Sequence, residues 1–309
     1  MGKYVSTIII NNEIMIPYIG GKYRQSKWIN DQIPNHVKTY IEVFGGAFWV
    51  HLRSSFTADN VIYNDFNRFM CNLFACAREY NTFHEYLVKD KPQNQELFDV
   101  YKQEILPLIN KDVLFDIPDF DIGQKYAYVI TQVFSGIMSE KVNMINLKGK
   151  YKSKYIAFYD KMKNPSYQQR FDMITGIENL SFEQVIPKYD SPDTFFYVDP
   201  PYYGTENLYA FHDFGLRQHE ELKDILKSCQ GKWILSYYDF DDLKKWFPED
   251  AYVWKRKEYA KASMASNNKK QTKGIEVLVM NYNPDTFEDI KETEDQEYNE
   301  NDSVESVFF

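Results

Sequence analysis

Apolar residues in this chain gather into short β-branched and aromatic runs, each cut off by a turn residue, with helix-spaced apolar stripes between them. Tyr40 to Phe44 and Val61 to Asp65 read as strands, and Phe66 to Tyr80 as the helix after the second. Before them, Tyr23 to Asn35 predicts a short helix stopped by Pro34. The rhythm lapses from Asn81 to about Gln169, where one helix, Gln124 to Ile137, stands out in a stretch rich in Lys, Asn, Tyr and Phe. Alternation resumes with Met173 to Ile186, then the buried strand Thr194 to Val198 and a helix from Arg217 to Ser228 with Leu222, Ile225 and Leu226 on one face. A strand at Trp233 to Tyr237 and a short helix at Asp241 to Phe247 follow. Tyr252 to Lys257 and Glu276 to Tyr282 predict an antiparallel pair at the sheet's edge. The fold class is α/β, with segment 81–172 inserted as a helical or irregular unit and 285–309 as an acidic, disordered tail.

The strand Thr194 to Val198 ends on Asp199-Pro200-Pro201-Tyr202. Two prolines cannot donate to a ladder, so the sheet stops there on a rigid turn. That turn carries a carboxylate, free carbonyls and an aromatic ring at a strand's carboxyl end, where open α/β sheets bind ligands. Taken alone it is also an ordinary strand-ending turn.

Two glycine pairs precede it. Gly20-Gly21-Lys22 follows an apolar approach through Tyr18, a tight turn or close backbone approach followed by a compact cation. Glu42-Val43-Phe44-Gly45-Gly46 joins a strand to an apolar helix, a nucleotide-type element whose helix N-terminus faces a ligand's charged end. Asp65, at the end of the next strand, stands where an acid binds ribose hydroxyls, or it caps the following helix, or both.

Charge alters the picture through its distribution. The chain of 309 residues carries a net charge of −9, and 285–309, with ten acidic residues against Lys291, accounts for it. Within the neutral body, Lys141 to Arg170 is basic apart from Asp160, and Lys255 to Lys273 is basic apart from Glu258. Such clusters read as phosphate-contacting surfaces or as solvated faces, and the tyrosines among the first favour the former. Candidate contacts are Lys141, Lys148, Lys150, Lys152 and Lys154 in the first run and Arg256, Lys269 and Lys270 in the second. The cysteines (Cys71, Cys76, Cys229) and scattered histidines form no metal-ligand pattern, so no metal is expected. Without a signal peptide or a long apolar run, a soluble cytoplasmic protein without membrane contact is expected.

In this order the motifs resemble the Dam-type, D12 class DNA adenine-N6 methyltransferases of phage and bacterial type. Tyr18-Ile19-Gly20-Gly21-Lys22 matches the family's first motif, and Glu42-Val43-Phe44-Gly45-Gly46-Ala47-Phe48 partly matches its second. Asp65-Phe66-Asn67 matches its ribose-binding acid, followed by Asp199-Pro200-Pro201-Tyr202, Ser236-Tyr237 and a Glu276 to Asn281 strand. Phe48 stands where the family has a glycine and Val43 where it has a proline. The region 134–139 lacks the Asn-Gly-x-x-Arg pattern of many members, so a GATC target is not implied.

The resemblance implies a Rossmann-like S-adenosylmethionine-dependent sheet, with 1–80 and 173–284 as catalytic domain and 81–172 as target-recognition subdomain. It implies cofactor contacts from Tyr18, Gly20, Gly21, Lys22, Glu42, Phe44, Gly46, Asp65 and Asp199. Double-stranded DNA is the implied partner, with the target base flipped out. Asp199 and the Pro200 carbonyl, held rigid by Pro201, would accept the target amine's hydrogens while Tyr202 stacks on the base. Transfer to cytosine N4 or to RNA, and an inactive DNA-binding or DNA-mimicking protein, are the alternatives. The tail ending Val307-Phe308-Phe309 reads as a peptide for a protein partner, as a competitor for the basic surface, or as inert.

Overall fold

The computed structural model describes residues 16–18, 20–110, 114–133, 136, 142–144, 154–203, 214–260 and 273–287. Its strands are β1 (His36–Glu42), β2 (Thr57–Asn64), β3 (Ile174–Glu178), β4 (Thr194–Val198), β5 (Lys232–Tyr238), β6 (Val253–Ala260) and β7 (Lys273–Met280). They form one seven-stranded sheet in the order β3-β2-β1-β4-β5-β7-β6. The first five are parallel, and β7 runs antiparallel to both β5 and β6. The expected antiparallel pair is present, with β6 as the outer strand.

β1 and β4 lie side by side, Glu42 opposite Tyr197. From β1 the chain goes outward one way to β2 and β3; from β4 it goes the other way to β5. The carboxyl ends of these two central strands therefore flank the switch point of the sheet, where neighbouring loops diverge and leave a crevice. Both motif turns, Gly45-Gly46 and Asp199-Pro200-Pro201, issue from these two strand ends.

The helices in chain order are α1 (Ser26–Asn30), α2 (Trp49–Leu52), α3 (Arg68–Arg78), α4 (Tyr80–Tyr86), α5 (Gln95–Asn110), α6 (Phe120–Ile130), α7 (Lys154–Met162), α8 (Pro165–Asp172), α9 (Phe182–Tyr189), α10 (Leu216–Ser228) and α11 (Asp241–Trp246). None of the described helices is long and apolar enough to cross a membrane. Alternate residues of β4 feed two cores, Phe195 and Tyr197 on one face and Phe196 and Val198 on the other. The first core runs on without a break through Phe83, Phe98, Tyr126, Tyr155 and Phe158 of α4 to α7.

Several boundaries differ from the expected ones. The helix expected from Phe66 to Tyr80 starts at Arg68, because Asn67 caps it with bonds to the Phe69 and Met70 amides, and it breaks at Glu79 before α4. The helix expected at Gln124 to Ile137 starts earlier, at Phe120, where the Asp119 carboxylate caps the Ile122 amide. The short helix of the Tyr23 to Asn35 stretch is confined to Ser26–Asn30. Segment 81–172, expected as a helical or irregular unit with one helix standing out, is largely helical where described.

Candidate active site

The glycine turn after β1 is strapped to the end of β2. The Gly45 amide donates to the Asn64 carbonyl (2.7 Å), Asn64 Nδ2 to the Val43 carbonyl (2.7 Å), and the Tyr63 hydroxyl to the Gly46 carbonyl (2.9 Å). Gly46 has φ of +48°, and a Cβ on Gly45 would come within 2.4 Å of the Tyr63 ring. Glycine is required at both, one for its backbone angle and one for the close approach of the strands.

Asp65 completes the strap. Its Oδ2 accepts the Gly46 amide (2.7 Å) and its Oδ1 the Asn67 amide (2.7 Å). It thereby orients the capping residue of α3 while Asn67 itself caps the helix. Burial raises the Asp65 carboxyl to about 6, against the pull of these two donors.

Phe48 opens α2 in the left-handed region, φ 60° and ψ 30°, a conformation suited to the glycine of the resembling family. Its ring is fully buried and meets His51 (4.6 Å), Tyr63 (4.9 Å) and Phe74 (5.5 Å), so the side chain fills the core beneath the turn. The backbone keeps the shape a glycine would give, and the bulk goes inward.

One cleft at the ends of β1, β2 and β4 is lined by Tyr18, Gly20, Gly21, Lys22, Glu42, Phe44, Gly46, Asp65 and Asp199. All nine residues expected from the first three motifs and the β4 turn therefore meet there. Burial pushes the Glu42 carboxyl up to about 8, although the His51 amide (2.8 Å) and the Tyr40 hydroxyl (3.0 Å) both donate to it. A second cleft adjoins through Phe44, lined by Phe66, Leu180, Phe182 and Phe214. These apolar residues were not singled out in the sequence. Only Phe66, exposed beside Asp65, carried a readable signal.

At the end of β4, Lys22 Nζ lies 2.8 Å from Asp199 Oδ1, 3.0 Å from the Gly20 carbonyl and 3.7 Å from Glu276 Oε1. It also sits 4.8 Å from the centroid of the Tyr202 ring. Burial raises the Asp199 carboxyl to about 6; Lys22 opposes that rise and Glu276 adds to it. Pro200 and Pro201 are buried. Tyr202 is buried too, its hydroxyl donating to Glu276 Oε1 and its ring edge-on to Tyr238 at 4.3 Å. The next residue, Tyr203, is exposed and stacks on Phe240 at 5.1 Å with planes 6° apart.

The expected phosphate contacts are less assembled. Lys141, Lys148, Lys150, Lys152, Lys269 and Lys270 lie outside the described residues. Lys154 is half-buried on α7, where burial lowers its pKa. Arg256 on β6 pairs with Glu249 (2.6 Å) and Asp239 (3.3 Å) and lies over the Trp254 ring. Part of the basic run is structural: Arg170 is buried and donates to the hydroxyl and carbonyl of Ser54, both at 2.7 Å. The acidic tail from residue 288 also lies outside the described residues.

Comparison with known proteins agrees with this arrangement. The family model described as D12 class N6 adenine-specific DNA methyltransferase matches residues 18–262. A curated relative, the Type II methyltransferase M.CviBI of Paramecium bursaria Chlorella virus NC1A, is 23% identical over 244 residues, 77% of this chain and 87% of the relative. A solved structure of precorrin 8W decarboxylase from Methanobacterium thermoautotrophicum covers 88% of this chain and 96% of its own at TM-score 0.34 and 10% identity, too distant a superposition to bear on fold or function. With the family model spanning both glycine turns, the acid after β2 and the Asp199 turn, the chain belongs to the D12 class N6 adenine-specific DNA methyltransferases.

Proposed function

We propose that the protein transfers a methyl group from S-adenosylmethionine to the N6 amine of an adenine flipped out of double-stranded DNA. The observation that carries this reading is the half-buried Asp199 carboxylate on its rigid turn, lining the glycine-turn cleft with an ammonium already bound to it at 2.8 Å. The amine of Lys22 illustrates the donor that this carboxylate is built to accept.

The cleft suits the cofactor. Asp65 at its floor offers carboxylate lone pairs to ribose hydroxyls, and the Phe44, Phe66, Leu180, Phe182 and Phe214 cleft suits an adenine ring. Glu42 and Asp199 suit the positive methionine end. When bound, S-adenosylmethionine supplies a methyl on a sulfonium: the C–S bond breaks with its electron pair left on sulfur as the N–C bond forms, and the amine releases one proton to water. Asp199 and the Pro200 carbonyl accept the amine hydrogens, turning its lone pair out of conjugation and stabilising the positive charge that develops on nitrogen. Because both acceptors sit on a proline-fixed turn, little reorganisation accompanies the reaction.

Segment 81–172 is proposed as the target-recognition part, and the basic runs as phosphate contacts, with Lys154 and Arg256 among them. The Type II name of the relative supports a site-specific activity, as in restriction-modification. The test is incubation of the protein and S-adenosylmethionine with whole-genome-amplified DNA and, in parallel, with RNA, followed by mass spectrometry of the nucleosides. N6-methyladenine is expected. N4-methylcytosine, or product from RNA alone, would overturn the adenine assignment. Asp199→Ala should abolish transfer, a loss of at least a thousandfold, with duplex binding retained; transfer at a near wild-type rate would refute the role of Asp199.

A further inference from the structure

We propose that Glu276 is a positioning residue for methyl transfer, holding the Tyr202 ring in place and receiving the Lys22 ammonium when the target amine takes Asp199. The inference rests on the reading given under Proposed function and assigns a role to a residue outside the glycine turns and the Asp199 turn.

Glu276 is buried on β7, opposite Tyr238 of β5, so its place is set by the ladder and not by a loop. Its Oε1 accepts the Tyr202 hydroxyl and, at 3.1 Å, the Ser236 hydroxyl. Those two bonds fix the Tyr202 ring relative to Asp199, three residues before it. The same oxygen lies 3.7 Å from Lys22 Nζ, which is bound to Asp199 at 2.8 Å.

In the free protein Lys22 thus stands where a donor amine must arrive, between Asp199 and the face of Tyr202. A base entering that place must move the ammonium aside. Leaving it buried without a counter-ion would be costly, and Glu276 provides a carboxylate less than a side-chain rotation away. The lysine can pass from one acid to the other while remaining in the dry interior. With Lys22 on Glu276, the Asp199 carboxylate is released to the incoming amine and the site keeps its charge balance.

Three variants separate this role from simple structural support. Glu276→Gln keeps an acceptor for Tyr202 and Ser236 but loses the charge that receives Lys22. Its single-turnover rate on whole-genome-amplified DNA should fall at least tenfold, while its Kd for S-adenosylmethionine stays within threefold. Removal of the like charge beside Asp199 should also move the acidic limb of the rate profile to lower pH, a shift that loss of packing would not produce. Tyr202→Phe should slow transfer in the wild-type background yet add nothing in a Glu276→Ala background, because the hydroxyl acts through Glu276.

A wild-type rate or an unmoved acidic limb in Glu276→Gln overturns the proposal, as do multiplying losses in the double variant. If Glu276→Ala fails to fold, the Gln variant decides alone. A wild-type protein inactive on the same DNA would instead refute the methyltransferase reading, and this is seen before any variant is made.

Discussion

Phe48 shows how one residue can keep a backbone shape while changing what lies beneath it. It holds the left-handed angles of a glycine and spends its ring on the core between His51, Tyr63 and Phe74. Phe48→Gly should relieve backbone strain of about 1 kcal/mol but lose a buried aromatic worth about 3–5 kcal/mol, a net destabilisation of ~2–4 kcal/mol by denaturant titration. Cofactor affinity of the folded variant should remain within a few-fold, since the ring is fully buried among core residues. Asp199 makes the residue scale visible in pH. With burial pushing its carboxyl up to about 6, activity that needs the carboxylate should fall about tenfold per unit as pH drops below that value. Lys22 holds this pKa down. Lys22→Met should therefore shift the acidic limb of kcat/KM to higher pH, measured from pH 5 to 9.

At the scale of elements, the strands were legible where apolar residues run together, and the amino-terminal halves of β1 and β2 were not. β1 begins at His36 and β2 at Thr57, four residues earlier than the apolar runs, in polar stretches held by parallel pairing of His36 with Thr57 and Val37 with Ala58. Pairing partners distant in sequence leave no local trace. α5 escaped for a different reason: its apolar Phe98, Tyr101, Ile105 and Leu108 are helix-spaced, but Pro107 and the polar residues between them obscure the stripe. The candidate cleft was legible because its motifs are local; the contact between Tyr202 and Glu276 spans 74 residues and was not. The strap between the β1 turn and β2 gives this scale its own prediction. Asp65→Ala leaves the Gly46 and Asn67 amides without their acceptor, at about 1–3 kcal/mol for each buried group, so the variant should melt at lower temperature as well as bind cofactor more weakly. An unchanged melting temperature would mean that the strap is not needed to hold the turn.

Across the whole molecule, the helices α4 to α7 lie on the same hydrophobic core as one face of the sheet. Phe83, Phe98, Tyr126 and Phe158 belong with Tyr40, Tyr63 and Phe195 to a single buried cluster. Thermal unfolding followed by near-ultraviolet and far-ultraviolet circular dichroism should accordingly give coincident transitions. Two separated transitions would show that segment 81–172 folds on its own. Arg170 adds a polar tie at the far end of the same segment, through Ser54.

Under the proposal that segment 81–172 reads the target, that shared core bears on how new sequence specificity would arise in this chain. A recognition segment with its own core could be exchanged between relatives like a cassette. Here a graft of segment 81–172 would have to reproduce the aromatic face that the sheet expects, or the catalytic half would lose part of its own interior. Change should come more readily through substitutions on the outer surface of these helices and in the connections between them than through replacement of the segment as a block.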